Sequence, residues 1–333
     1  MAAAYSADDY SMIPILFAGG TIGMRHDAAA GGAVPTLSGS DILRATRGVE
    51  DVAELAPEDW GAFPGPHMTS ERQWALRGRV AELLERDEVE AIVVAHGTDT
   101  LEETAYLMAR SIPSRKPVVV TGAMRSGSEL GWDGPANLMD SVRVAASADS
   151  LGYGTLVVMG GRIISALEAT KSDTHAMDAF ESPGLGPLGT VDDGRVIFRR
   201  EAGTMPAPLS PLALGVPVDI VMAWAGADAR LLDASREVSR GVVVAAFGRG
   251  NIPPAMAEGV ERWILGDKPV VIASRAPHGL VGPTYGYPGG GRRLMEMGAI
   301  LAGSRRPQQA RLELLLALGA GLDRAAIAAL FAG

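Results

Sequence analysis

The chain has 333 residues, 47% of them hydrophobic, and a formal net charge of −9. It can bury a sizeable core in one large or two ordinary domains, and no basic run offers a footprint for nucleic acid. Cysteine is absent, which excludes disulfides and thiolate metal sites, and His26, His67, His96, His175 and His278 show no metal-ligand spacing. The stretch Met1 to Ser11 carries Asp8 and Asp9 and no cationic region, so it does not read as a signal peptide. No apolar stretch is long enough for a membrane span, so a cytoplasmic protein without metal is expected.

In chain order, short β-branched runs alternate with helical patterns. Strands are predicted at 13–18, 90–95, 117–122 and 155–160, and helices at 38–46, 69–87, 100–111 and 134–148. Ser70-x-x-Gln73 and Thr100-x-x-Glu103 have capping-box spacing at two helix starts. Asp192-Asp193-Gly194 reads as a hairpin turn with a strand after it. The proline-dense stretch 205–211 is the best linker. Beyond it the alternation restarts, with strands at 218–223, 241–246 and 269–274 and helices at 254–265, 291–302, 307–318 and 322–331. The expected fold is α/β, with a larger mostly parallel sheet domain over 11–199, a linker over 200–217 and a smaller α/β domain over 218–333.

Two threonines hold matching positions. Thr21 follows an apolar run and Gly19-Gly20, and Thr98 follows Ala91-Ile92-Val93-Val94-Ala95-His96-Gly97. Each is placed just past the carboxyl end of a predicted strand, the edge where open α/β sheets bind ligands. Two hydroxyls at one crevice, one beside Asp99, suggest nucleophilic catalysis on a small molecule. Gly19-Gly20-Thr21-Ile22-Gly23 also reads as a tight turn, and its spacing is neither the dinucleotide nor the P-loop pattern. Asp99 and Thr100 are good helix caps, and a helix start also suits an anion or oxyanion. By itself Lys171 reads as a solvated loop lysine; beside Thr98 and Asp99 it would be a base.

These motifs resemble the bacterial asparaginase/glutaminase family of two-domain amidohydrolases. The likeness runs through Ala18-Gly19-Gly20-Thr21-Ile22-Gly23 and His96-Gly97-Thr98-Asp99-Thr100-Leu101-Glu102-Glu103-Thr104. It continues through Val120-Thr121-Gly122-Ala123-Met124-Arg125 and Asp133-Gly134-Pro135-Ala136-Asn137-Leu138, with Lys171 and Phe180 in their expected places. The resemblance implies Thr21 as primary nucleophile and Thr98, Asp99 and Lys171 as a second triad. It implies the Thr98 backbone N–H in an oxyanion hole and an Asp99 contact to the substrate's α-amino group. It places Gly20, Gly65, Pro66, Gly97, Ala123 and Met124 at the substrate. It implies a small-molecule amide substrate, asparagine by default, no cofactor, and a homodimer or homotetramer in which His278, Tyr285 or Tyr287 of a neighbouring subunit completes the site.

Two departures stand out. Ala33, in Gly32-Ala33-Val34-Pro35, replaces the family's lid tyrosine, and Gly65-Pro66 replace the polar pair that binds the substrate's α-carboxylate. Neither has a side-chain donor, and Pro66 lacks a backbone N–H. Arg25, His26, His67, Tyr285 and Tyr287 are candidate replacements. Otherwise the substrate is another carboxamide, a blocked asparagine or glutamine derivative, or a cyclic amide. A catalytically weak ligand-binding or sensor protein on the same fold is the rival reading.

Overall fold

The computed structural model describes residues 11–203, 206–211, 213–214 and 216–332. Most of the Met1–Ser11 stretch, and Met205 in the proline-dense stretch, therefore lie outside the described residues. The chain divides into two compact units between Pro208 and Leu209.

The first unit is built on an eight-stranded sheet. Its order is Arg195–Phe198, Gly189–Asp192, Arg162–Ser165, Thr155–Met159, Val118–Thr121, Ile92–Ala95, Ile13–Gly19 and Leu55–Phe63. The five strands from Thr155–Met159 to Leu55–Phe63 run parallel, and the other three continue the sheet antiparallel. Apart from Leu55–Phe63, the parallel strands are largely buried apolar runs, because helices cover both faces. Alternate residues divide between two cores. Leu16, Ile92, Val94, Val118 and Val120 pack with Leu76, Val80, Leu101 and Met108 of helices Ser70–Leu84 and Leu101–Ser111. Ile15, Phe17, Val93, Val119 and Leu156 pack with Ile42, Leu138 and Val142 of helices Gly39–Ala45 and Gly134–Ala146.

Strand Ile13–Gly19 lies between Leu55–Phe63, this sheet's next strand in chain order, and Ile92–Ala95, the one after that. The chain thus reverses its direction across the sheet there, and the carboxyl ends of Ile13–Gly19 and Ile92–Ala95 flank a switch point where such sheets open a crevice.

The second unit has four parallel strands in the order Val218–Met222, Gly241–Ala246, Val270–Ser274 and Ile300–Leu301. Trp263 is fully buried in its core and donates its indole N–H to the Leu232 carbonyl at 2.8 Å.

Several expectations are corrected. The predicted helix 291–302 ends at Met297: Gly298, at φ +107°, stops it, and Ile300–Leu301 becomes a strand paired with Val271 and Ile272. Helix Ser70–Leu84 is capped by Thr69, whose hydroxyl accepts from the Arg72 N–H, so Ser70 lies inside it. Thr100 stands at the N-cap of Leu101–Ser111 without capping it; its hydroxyl donates to the Gly65 carbonyl at 2.9 Å.

Leu55–Phe63 was not predicted as a strand. It carries Pro57, Glu58, Asp59 and Gly61, and such residues are tolerated because it is an edge strand, hydrogen-bonded on one side only. The hairpin Met24–Asp27 with Gly32–Pro35, which carries Ala33, and helix Arg230–Val238 were not predicted either.

Candidate active site

Backbones meet closely at the crevice. A Cβ on Gly20, which has φ +88°, would lie 2.3 Å from the Gly97 Cα, and one on Gly97 would lie 2.7 Å from the Gly65 Cα. Three glycines from three segments are therefore stacked, and no side chain fits at Gly20 or Gly97. Thr21 opens the short 3-10 turn Thr21–Gly23 one residue beyond this stack. The Gly20 N–H donates to the Phe63 carbonyl at 2.9 Å, which ties the turn to the edge strand.

Thr98 and Asp99 come between strand Ile92–Ala95 and helix Leu101–Ser111. Lys171 arrives from elsewhere, on a two-stranded antiparallel ribbon where it pairs with Phe180. Its Nζ lies 2.9 Å from the Thr98 hydroxyl oxygen and 2.8 Å from an Asp99 carboxylate oxygen. Its side chain is 18% exposed, whereas that of Asp99 is 54% exposed. The lysine is thus held rather than solvated, and the carboxylate is open to a ligand. The Glu102 carboxylate accepts the Lys171 backbone N–H at 3.0 Å, fixing the ribbon to the first turn of the helix.

Beneath Thr98 lies a buried polar chain that the sequence pattern did not single out. The Gln73 amide donates to the Thr104 hydroxyl at 3.1 Å, the hydroxyl meets His96 Nε2 at 3.0 Å, and His96 Nδ1 meets the Gly97 carbonyl at 2.9 Å. His96 is fully buried, and desolvation holds its imidazole down at about 4. Among the described residues the Thr98 N–H donates to nothing, although the residue is only 6% exposed.

The loop after Val118–Thr121 forms another wall. A Cβ on Gly122 would lie 3.2 Å from the Thr98 Cγ2. The buried Asp133 carboxylate accepts the backbone N–H groups of Met124 at 2.9 Å and Arg125 at 2.9 Å and the Asn137 amide at 3.0 Å, which fixes the backbone of Ala123 and Met124. Asp133 and Asn137 belong to a stretch that carries the family likeness, but their i, i+4 spacing gave no sign of this bracing.

Gly65 and Pro66 lie in the 3-10 turn Gly65–His67. Gly65 is buried against Asp99: a Cβ there would lie 3.0 Å from the Asp99 Cβ and 3.3 Å from its Oδ2. Arg72, which the sequence reading passed over, donates to the His67 carbonyl and stacks 4.2 Å from the Phe63 ring centroid. Gly20, Gly65, Gly97, Thr98, Asp99 and Lys171 are thus brought together, with Thr21 adjoining. Arg25 and His26 are exposed on the hairpin, and the His26 N–H donates to the Ser128 hydroxyl at 3.0 Å. His278, Tyr285 and Tyr287 are exposed in the second unit, the tyrosine rings stacked at 5.5 Å. Among the described residues no acidic, histidine or cysteine cluster could hold a metal, and no helix is long and apolar enough to cross a membrane.

Comparison with known proteins matches residues 12–203 to the family description "Asparaginase, N-terminal" and residues 217–331 to "Glutaminase/Asparaginase C-terminal domain". A probable L-asparaginase of Deinococcus radiodurans is 37% identical over 322 residues, 96% of each chain. L-asparaginase 2 of Bacillus subtilis is 32% identical over 99% of this chain and 88% of its own. The crystal structure of a probable cytoplasmic L-asparaginase from Campylobacter jejuni superposes with a TM-score of 0.88 at 31% identity, covering 97% of this chain and 99% of that one.

Proposed function

The chain belongs to the asparaginase family of hydrolases acting on amide carbon–nitrogen bonds, and we propose that Thr21 is its nucleophile and Thr98, Asp99 and Lys171 its proton-handling triad. The observation that carries this reading is Lys171 Nζ, placed within hydrogen-bond reach of both the Thr98 hydroxyl and the Asp99 carboxylate. An amide is a poor electrophile, so a hydroxyl must be activated and the developing oxyanion stabilised. The Thr21 oxygen attacks the carbonyl carbon, the C–N bond breaks, and the leaving nitrogen takes the hydroxyl proton, departing as ammonia from a primary carboxamide and staying on the opened chain of a cyclic amide. Water, deprotonated through Thr98 and Lys171, then cleaves the acyl-threonine ester and restores Thr21. The balance is primary amide plus water to acid plus ammonia, or cyclic amide plus water to the ring-opened acid. Gly20, Gly97, Ala123 and Met124 line the substrate in this reading.

The relatives' names make L-asparagine the default substrate, and the crevice argues for a shift from it. Gly65, Pro66 and Ala33 offer no side-chain hydrogen bond to an α-carboxylate. The loss of one partner from a desolvated polar group costs about 1–3 kcal/mol or more. The substrate is therefore an amide lacking a free α-carboxylate, or carrying a bulkier group there, such as a blocked asparagine or glutamine or a cyclic amide. A cytoplasmic location and a homodimer or homotetramer complete the proposal, with His278, Tyr285 or Tyr287 reaching a neighbouring subunit's site. The sensor reading is not favoured, because a pure binding site has no use for a lysine on a hydroxyl.

The test is an ammonia-release screen over asparagine, glutamine, their blocked forms and simple carboxamides, run on the wild type and on Thr21→Ala. The proposal expects release from at least one amide and its loss in the variant. Full activity in Thr21→Ala would remove the nucleophile assignment.

A further inference from the structure

The catalytic roles proposed above leave out a fully buried histidine, although His96 touches the peptide that precedes Thr98. Its hydrogen-bond chain can run in only one direction. The Gly97 carbonyl at one end can only accept, so His96 Nδ1 must carry the proton. A neutral imidazole then has Nε2 as acceptor, so the Thr104 hydroxyl donates to it and receives its own bond from the Gln73 amide nitrogen. Turning the Gln73 amide over would reverse the chain and set a bare imidazole nitrogen against the Gly97 oxygen. The carbonyl therefore also fixes the orientation of Gln73.

In a trans peptide the C=O and the N–H point in opposite directions, and among the described residues no peptide is cis. Holding the Gly97 carbonyl inward on His96 therefore turns the Thr98 N–H the other way, towards the crevice. Among the described residues that N–H has no acceptor, in a residue that is only 6% exposed. A backbone donor without a protein partner is available to an acceptor that a ligand supplies. The second bond to the Gly97 carbonyl, from the Thr100 N–H, is long at 3.4 Å, so His96 is the main anchor.

We propose that His96 is a positioning residue that locks the Gly97–Thr98 peptide so that the Thr98 N–H meets the oxyanion of the tetrahedral intermediate, with Thr104 and Gln73 fixing its tautomer. The proposal rests on the amidohydrolase reading above. Such a donor acts in the transition state and little in the ground state, so its misdirection lowers kcat and leaves KM nearly unchanged.

Two substitutions separate this role from simple packing. His96→Asn sets an amide nitrogen near the position of Nδ1 and keeps a donor to the Gly97 carbonyl. His96→Gln sets it near Nε2, keeps the contact to Thr104 and leaves the carbonyl unheld, yet fills more of the imidazole's volume. With both variants folded by thermal melt, kcat on an amide that the wild type hydrolyses should stay within about tenfold in Asn. It should fall about 10²-fold or more in Gln, with KM within about threefold in both. Thr104→Val, which leaves Nε2 without its donor, should lower kcat with KM held. Equal losses in Asn and Gln, a better Gln than Asn, or a loss confined to KM would each overturn the assignment. If neither substitution folds, Thr104→Val decides, and full kcat there overturns it. Failure of the wild type to hydrolyse any amide, read as ammonia from primary carboxamides and as ring opening from cyclic ones, would instead sink the amidohydrolase reading itself.

Discussion

At Thr98 the polar groups have fixed partners: the hydroxyl meets Lys171, the preceding carbonyl meets His96, and Lys171 is tied through its backbone to Glu102. In the neighbouring turn Gly65–His67 the carbonyls of Gly65 and His67 are taken up by donors of the protein. The Gly65 carbonyl accepts from the Thr100 hydroxyl and the Met68 N–H, and the His67 carbonyl accepts from Arg72. One wall offers a carboxylate, a hydroxyl and a free N–H to a ligand; the other offers a glycine and a proline ring. In the proposed reading the contrast separates bond cleavage from recognition, since a crevice can retain the first while changing what it admits. A side chain at Gly65 would crowd Asp99, a residue of the first wall, with its Cβ 3.0 Å from the Asp99 Cβ.

Breaking the first wall has the largest expected effect. Lys171→Met should lower kcat by about 10²–10⁴-fold, the usual contribution of a positioned acid or base, with KM little changed. Steady-state kinetics on a hydrolysed amide check this, and a change confined to KM would make Lys171 a binding residue. The second wall is tested with the substrate. Two missing carboxylate partners should weaken free L-asparagine by roughly 10- to 10⁴-fold, so an amide with a blocked α-carboxylate should have the higher kcat/KM. A micromolar KM with high turnover on free asparagine would show the clamp rebuilt by another residue, Arg25 or His67 being the first to examine.

The buried chain under the first wall carries its own pH signature. His96 titrates at about 4 in the fold, because of desolvation, against an ordinary value of 6.5. Between those values the unfolded chain binds a proton that the folded chain does not. The contribution is therefore fully present above pH 6.5 and is lost as the pH falls towards 4, by about 3 kcal/mol. Denaturant unfolding at several pH values should show this slope and its loss in His96→Asn; an unchanged slope in the variant would assign it to other groups. The smallest effect is expected at Glu102. Glu102→Ala frees one backbone N–H and should cost about 1 kcal/mol of stability and lower kcat severalfold through Lys171, whereas Glu102→Gln keeps an acceptor and should be nearly silent in both. If the two variants behave alike, the ribbon is held by other contacts.

The sequence by itself determined the fold class, the strands ending at Gly19 and Ala95, and the family, because buried parallel strands and glycine-ended turns leave local patterns that need no tertiary context. Its resemblance to the family also led to the expectation that Ala33, Gly65 and Pro66 depart from the family's pattern, which kinetics on free asparagine would test. The tertiary structure alone decided what holds the crevice together. Lys171 is more than seventy positions from Asp99 in the chain, on a ribbon too short to have a period. The edge strand Leu55–Phe63, with its proline, charges and glycine, carries no alternation that could announce it. The chain of Gln73, Thr104 and His96 spans two helices and a strand end, and each member taken singly is an ordinary residue. Hydrogen bonds between distant segments depend on where the sheet and helices pack, and packing of that kind has no counterpart in local spacing.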